Sequence, residues 1–191
     1  MSLYTITRGV LWSTLTVVAA TTVAGQTAAR ETFTATAAVK AAGGAAATAP
    51  LKVTVDRKMS ESEADTMLAA FKSGGAAGLR KALQGVPAVG SAQLGGGKPT
   101  PLRLALERPT EKGRLLTLVA DKPILFLGAG VPGAKTQAGY DFAIIDLEVD
   151  ANNAGSGTLA PAAKVTVKNG AFVVEDYAGE LVRLTAVAHA K

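Results

Sequence analysis

The sequence contains no cysteine and only one histidine among its 191 residues. The absence of thiols excludes disulfides, thiolate nucleophiles, Cys-ligated zinc or iron–sulfur sites and acyl-cysteine anchors. The single histidine, His189, is the third residue from the end of the chain. Because chain ends fray, we expect no rigidly held imidazole for a catalytic triad or a metal site.

Aromatic and charged residues are also scarce, at 5% and 18% of the chain. Few aromatic rings mean few stacking platforms for nucleic acid, and the basic residues between 98 and 122 are interspersed with acids. We therefore expect no nucleic-acid partner. The hydrophobic fraction of 48% is too high for a disordered chain, and the length suits one domain with its own core.

The first residues have the pattern of a secretory signal peptide. Arg8 precedes an uncharged, mostly apolar run at residues 9–20, and the small residues Val23-Ala24-Gly25 follow. We expect cleavage before Gln26 and export of residues 26–191 to the periplasm or the medium. An uncleaved anchor or a buried N-terminal helix is the alternative. No later stretch reaches about 18 apolar residues, so no transmembrane span is expected in the mature chain.

Alternation of apolar and polar residues predicts a mainly β (α+β) fold of antiparallel strands. Leu51, Val53 and Val55 alternate with polar residues, whereas residues 41–49 are expected to form a Gly/Ala loop. Roughly eight to ten strands are expected, too closely spaced for crossover helices. They are predicted at residues 31–40, 51–56, 102–107, 114–120, 124–127, 140–149, 163–168, 171–175 and 181–187. The expected architecture is a β-sandwich or a partly closed β-barrel.

Three details refine this expectation. Leucines 102, 104 and 106 alternate with residues 103, 105 and 107, which gives that strand one apolar face. Phe142 and Ile144 are apolar on the face opposite Ala143 and Ile145, so this strand is covered on two sides or lines a cavity. The Asn-Gly pair at residues 169–170 is typical of a two-residue hairpin turn.

One helical insertion is predicted at about residues 60–85. Ser60 and Glu63 have the spacing of a capping box. Four apolar residues then recur at helical spacing: Ala64, Met67, Leu68 and Phe71. Gly74-Gly75 is expected to end the first helix, and a shorter helix over residues 76–84 would complete an αα-hairpin.

Residues 128–133 (GAGVPG) match the G-x-G-x-x-G pattern of dinucleotide sites, in which glycines let backbone amides approach a pyrophosphate. Pro132 lies inside the motif, and the six residues that follow are too few for the required helix. No βαβ unit surrounds it. The motif is therefore interpreted as a surface loop, and no cofactor is expected from it.

Acidic residues cluster near the end of one predicted strand. Asp146, Glu148 and Asp150 alternate along the chain, so their carboxylates share a face and could hold Ca²⁺. The spacing departs from the EF-hand pattern. The alternative is a solvated face whose acids pair with Lys164 or Lys168 on a neighbouring strand. Candidates for a catalytic carboxylate pair are Asp141, Asp146, Glu175 and Asp176, and nothing in their spacing selects two of them.

Four stretches, residues 71–83, 140–149, 155–164 and 174–184, resemble a set of small exported bacterial proteins of unknown function. The resemblance covers most of the predicted mature chain. It implies export and a single domain, and it implies no activity, cofactor or binding residue.

Two functions of different classes follow. The first is a non-catalytic exported domain that binds a partner protein, an envelope component or a small apolar ligand. The second is a hydrolase that uses a carboxylate pair or a carboxylate-held metal.

Signal cleavage can be tested through Trp12, the only tryptophan of the chain. Removal of residues 1–25 removes this residue. The protein recovered from its host is therefore expected to begin at Gln26 and to show no tryptophan emission. An intact mass that includes residues 1–25, together with tryptophan emission, would refute cleavage.

Overall fold

A computed structural model describes residues 30–40, 46–124, 139–168, 171–176 and 182–190. The predicted signal peptide and the glycine-rich motif at residues 128–133 lie outside the described residues. The elements, in chain order, are β1 (Glu31–Lys40), β2 (Ala46–Val55), α1 (Glu61–Gln84), β3 (Gly90–Leu94), β4 (Thr100–Leu102), β5 (Leu104–Thr110), β6 (Gly113–Ala120), β7 (Phe142–Val149), β8 (Ala154–Lys168), β9 (Ala171–Asp176) and β10 (Val182–His189).

The ten strands belong to one antiparallel sheet with the order β4-β3-β2-β1-β10-β8-β7-β6-β5, and β9 pairs with β8 outside this path. β4 and β5 lie at opposite ends of the path, yet only Arg103 separates them in the chain. The Arg103 N–H donates to the Val119 carbonyl of β6 at 2.8 Å, and the Val89 N–H donates to the Leu102 carbonyl at 2.8 Å. The sheet is thus nearly closed, which confirms the predicted partly closed barrel.

The interior of the barrel is filled by side chains that alternate along the strands. On β1, Phe33 and Ala37 are at most 1% exposed, whereas Thr34 and Thr36, which lie between them in the sequence, face outward. The largest fully buried side chains on the inward face of the other strands are Leu51, Val53, Leu102, Leu116, Leu118, Ile145, Leu147, Leu159 and Leu184. Small barrels are typically filled by side chains in this way.

The capping box that starts α1 is confirmed. The Ser60 hydroxyl accepts the Glu63 N–H at 3.3 Å, and the Glu63 carboxylate accepts the Ser60 N–H at 2.8 Å. The break predicted at the glycine pair is also present, because Gly75 has φ 59° and ψ −151°. Beyond the break the chain approaches itself closely, since a β-carbon on Gly78 would collide with the Ala70 carbonyl oxygen. The predicted hairpin is therefore one helical element divided at Gly75.

The first half of β7 is buried on both faces, as its apolar run predicts. Four consecutive residues, Phe142 to Ile145, are all buried. α1 contacts β8, and Arg80 of α1 donates to Asp141, just before β7, at 2.8 Å. α1 therefore lies against β8 and beside the start of β7.

Two strands begin earlier than the sequence predicts. β2 starts at Ala46, because residues predicted as a loop pair with the second half of β1, up to Lys40 opposite Ala46. β8 starts at Ala154 rather than at residue 163. Its glycines weaken the local strand signal, but a β-carbon on Gly155 or Gly157 would collide with a carbonyl oxygen of β7. Close packing between neighbouring strands therefore requires glycine there.

The strand predicted at residues 124–127 is not seen at Ile124, which lies outside every strand although its N–H donates to the Pro161 carbonyl at 2.9 Å. The other residues of that segment lie outside the described part. The hairpin prediction at residues 169–170 agrees with the pairing of Lys168 with Ala171, which leaves two residues between the paired ends of β8 and β9.

The two glycines at the break in α1 provide a matched test. Gly75 occupies a backbone region that is essentially restricted to glycine, whereas Gly74 does not have a positive φ, and neither has an atom within 4 Å of an added β-carbon. Gly75→Ala is expected to lower the free energy of unfolding by about 1–3 kcal/mol. Gly74→Ala is expected to leave it unchanged or raise it by up to about 1 kcal/mol. Equal effects in urea unfolding would contradict the assigned break.

Candidate functional site

Polar side chains converge at one end of the barrel, where the β5–β6 and β7–β8 turns lie. We call Glu31, Lys58, Glu107, Arg114 and Asn153 the mouth cluster. Arg114 is opposite Val149 on β7, and Val149 is 1% exposed. Residues directly opposite each other in a sheet share a face, so Arg114 points into the barrel mouth.

The mouth cluster is a continuous network of charge-assisted hydrogen bonds. Arg114 Nη1 donates to Glu31 Oε1 at 3.1 Å and to Glu107 Oε2 at 2.7 Å, while its Nη2 donates to Asn153 Oδ1 at 2.6 Å. Lys58 Nζ lies 2.5 Å from Glu107 Oε2 and 3.5 Å from Glu31 Oε1. The four charged side chains are between 20% and 30% exposed. Each cation therefore binds both carboxylates, and the charges balance.

This network spans the mouth. Glu31 belongs to β1 and Arg114 to β6, and three strands (β10, β8 and β7) lie between them along the sheet. The ion pair therefore joins opposite sides of the barrel rather than adjacent strands. The Arg114 guanidinium carbon also lies 5.9 Å from the centre of the Phe33 ring, which is a cation–π distance. Phe33 thus connects the mouth cluster to the apolar core.

The electrostatics of the cluster favour the ionised form of Glu107. Burial raises the pKa of Glu107, but hydrogen bonds and charges from Lys58 and Arg114 outweigh burial and lower that pKa overall. Burial likewise acts to lower the pKa of Arg114, and its bonds to Glu31 and Glu107 raise it overall. A catalytic general acid needs the opposite, a carboxyl pKa raised toward neutrality. Glu107 is therefore poorly suited to act as a general acid.

Two of the acids proposed as calcium ligands, Asp146 and Glu148, have other cross-strand neighbours than the lysines expected from the sequence. Asp146 lies opposite Thr158 and Glu148 opposite Ser156, because β8 begins early. The suggested pairing with Lys164 or Lys168 is therefore wrong. Asp146 instead accepts the Thr117 hydroxyl at 2.6 Å.

Asp150 follows β7 and stabilises the turn to β8. Its Oδ1 accepts the N–H groups of Ala154 at 3.0 Å and Asn152 at 2.8 Å. These backbone hydrogen bonds, led by that of Ala154, lower the pKa of Asp150. Among the described residues, no three His, Cys, Asp or Glu side chains are arranged to hold a metal ion. The calcium site stays a prediction that this geometry does not favour.

The other catalytic candidates are dispersed. Asp141 binds Arg80 of α1 at 2.8 Å, whereas Asp146 is in the middle of β7. On β9, Glu175 lies opposite Lys164 and Asp176 opposite Ala163. Asp141 thus lies just before β7, Asp146 in the middle of that strand and the other two candidates on β9, and none of these contacts joins two of the four carboxylates.

His189 is not in a frayed tail, contrary to the expectation from its position. It is the last residue of β10, opposite Phe33, and the two rings make an edge-to-face contact with centres 5.6 Å apart. The backbone N–H of His189 also donates to the Asn153 carbonyl at 3.2 Å. Pairing with β1 holds this end of the chain, and His189 borders the mouth cluster.

A second surface feature lies on the outside of β1, β2 and β10, next to one another in the sheet. Their exposed side chains are mainly hydroxyls and cations, and we call the following set the threonine face: Thr34, Thr36, Thr48, Lys52, Arg183 and Thr185. Thr36 lies opposite both Pro50 and Thr185, and Thr34 lies opposite Lys52. No carboxylate faces outward in the described part of these three strands.

Neither the mouth cluster nor the threonine face is among the features expected from the sequence. The predicted apolar face of residues 102–107 does not hold, because Leu104 is buried on the outer face of the sheet and Ala105 on the inner face. Glu107 alternates with the residue between it and Ala105 and therefore also lies on the inner face. The sequence did contain a signal for the mouth cluster, because Arg114 falls on the same face of its strand as Leu116 and Leu118. A cation on the apolar face of a strand indicates a buried or end-of-barrel partner.

The cross-mouth ion pairs can be tested by substitution. Arg114→Met leaves Glu31 and Glu107 with fewer partners in a partly buried site, so we expect a loss of about 2 kcal/mol in the free energy of unfolding. Arg80→Met, which removes the more exposed pair with Asp141, is the matched control and should cost less than about 1 kcal/mol. Equal losses in urea unfolding would refute the special role of the mouth cluster.

A scan against protein-family models and searches of curated proteins and of solved structures find no match to this chain. Within the described ranges, no helix combines the length and apolar character needed to cross a membrane. The resemblance to small exported bacterial proteins stays a prediction.

Proposed function

We propose that this chain is an exported, non-catalytic binding domain whose threonine face contacts an anionic, hydroxyl-rich polymer of the cell envelope. The observation that carries the proposal is the composition of that face. Exposed hydroxyls lie beside two exposed cations, Lys52 and Arg183, without an outward carboxylate in the described part of the three strands.

The chemistry of the threonine face suits such a polymer. Each threonine hydroxyl can donate one hydrogen bond and accept two, which matches sugar hydroxyls. Neighbouring strands lie about 4.8 Å apart and alternate residues along a strand about 7 Å apart, so the face offers a regular array of polar groups. Lys52 and Arg183 add attraction for carboxylate or phosphate groups. The net charge of +5 favours the same class of partner.

The packed interior disfavours the small apolar ligand as the partner. Side chains that would line a ligand cavity, such as Leu118, Ile145 and Leu159, are 0% exposed. A cavity large enough for a lipid-like ligand would leave such side chains with free surface. The outer surface of the barrel is therefore the better candidate for binding.

The hydrolase alternative receives less support. The two carboxylates that share their cations, Glu31 and Glu107, are each bound by Arg114 and Lys58. The lowered pKa of Glu107 favours its ionised form, which cannot donate a proton to a leaving group. A non-catalytic role is the simpler reading of a neutralised network.

Binding can be measured with polygalacturonate as an anionic polysaccharide probe and dextran as a neutral one. Lys52→Glu combined with Arg183→Glu is expected to weaken binding to polygalacturonate by at least about tenfold, equivalent to 1.4 kcal/mol. Binding to the anionic probe should also weaken as salt concentration rises.

Lys72→Glu combined with Lys98→Glu is the matched control, because it changes the net charge equally at exposed positions outside the threonine face. We expect it to keep most of the affinity. Equal loss in the two double variants would show that only net charge matters. Absence of binding to polygalacturonate by the unaltered chain would refute the proposal.

A further inference from the structure

A short segment between β2 and α1 closes the barrel mouth from the side. We call residues 56–59 the strap. Lys58 reaches from the strap to Glu31 on β1 and to Glu107 on β5, so it connects two strands that are not neighbours in the sheet. The Met59 side chain is 9% exposed and belongs to the hydrophobic core.

The polar side chains of the strap share one property: each is tethered by an ion pair. Asp56 binds Arg30 at 2.6 Å, and Arg57 binds Glu63 at 2.9 Å. Lys58 binds Glu107 at 2.5 Å. The following helix start depends on the same chemistry, because Glu63 also accepts the Ser60 N–H. Every one of these ion pairs therefore contains a carboxylate. The pairs of Asp56 and Lys58 attach the strap to the barrel, whereas the pair of Arg57 with Glu63 joins the strap to the start of α1.

The backbone of the strap is held less extensively than a strand. The N–H groups of Asp56 and Arg57 both donate to the Val89 carbonyl, at 2.8 and 3.2 Å, and Met59 donates to the Ala105 carbonyl at 2.8 Å. These bonds converge on two acceptors. Regions with few hydrogen bonds and few buried side chains open at lower free energy than the core around them.

We propose that the strap is an acid-released latch, which detaches from the barrel mouth together with the start of α1 while the barrel stays folded. Protonation of the carboxylates removes every ion pair that joins the strap to Arg30, β1 and β5. It also leaves Lys58 and Arg114 as two uncompensated cations that face each other across Glu107, so the strap is repelled from the mouth.

The titratable and charged groups around the strap belong to the strap itself and to the segments packed against it. Those that face it are Arg30, Glu31, Asp56, Arg57, Lys58, Glu63, Glu107 and Arg114, with His189 behind Phe33. The pKa of Glu63 is lowered chiefly by its backbone hydrogen bond from Ser60, and Glu107 also has a lowered pKa, through Lys58 and Arg114. Their stabilisation is therefore present above the unfolded carboxyl pKa of about 4.3 and is lost as pH falls through the lower folded pKa.

Amide hydrogen exchange followed by NMR tests the latch on the unaltered chain. Protection factors, which correct for the intrinsic effect of pH, are compared at about pH 6.5 and about pH 3.5. We expect the amides of Arg57 and Met59 to lose at least about tenfold more protection than the amides of β6 and β7, since one pKa unit corresponds to a tenfold change in an equilibrium.

Two outcomes would overturn the proposal. Strap amides that keep their protection at the lower pH would show that the ion pairs do not hold the strap. Equal loss in the strap and in β6 and β7 would show global unfolding instead of a latch.

A variant separates the tethers from a general effect of acid. Glu107→Gln should lower the protection of the Met59 amide near neutral pH by about tenfold, because Lys58 and Arg114 lose a shared charged acceptor. Asp141→Asn is the matched control, since it removes an ion pair with Arg80 away from the strap. Equal Met59 protection in the two variants would contradict the latch.

Discussion

The barrel depends on one constraint: at Arg103 the chain changes the strand with which it pairs. One continuous stretch of chain pairs with β3 as β4 and with β6 as β5, and this junction joins the two ends of the sheet path. A sheet with open ends would expose rows of unpaired backbone groups, which closure removes. The alternation of side chains must shift at the junction, so Leu104 and Ala105 are both buried. Closure therefore determines which residues face inward on β5.

The mouth cluster follows from this closure. Because strands on opposite sides of a small barrel are close, Arg114 on β6 can reach Glu31 on β1. Charges at the rim of an apolar interior need partners, and each one here has at least two. The same network holds the strap through Lys58. The outer surface is free of this requirement, and the threonine face can present hydroxyls and cations to solvent.

The sequence predicted those parts of the fold that local chemistry controls. The capping box at Ser60 and the break at Gly75 depend on neighbours in the chain, and the uninterrupted apolar run from Phe142 indicates burial on two faces. All three are confirmed. The start of β8 could not be predicted, because its glycines make sense only beside the backbone of β7. The mouth cluster likewise joins residues far apart in sequence, such as Glu31 and Arg114. Only the closed sheet brings these side chains together.

Closure of the sheet is tested most directly by interstrand nuclear Overhauser effects. A nearly closed barrel predicts backbone contacts between Gly90 and Leu102 and also between Leu104 and Val119 in the same molecule. Both sets should be present at comparable intensity under one condition. If only one set were observed, the sheet would be open at Arg103, and neither the cross-mouth ion pair nor the strap geometry would follow.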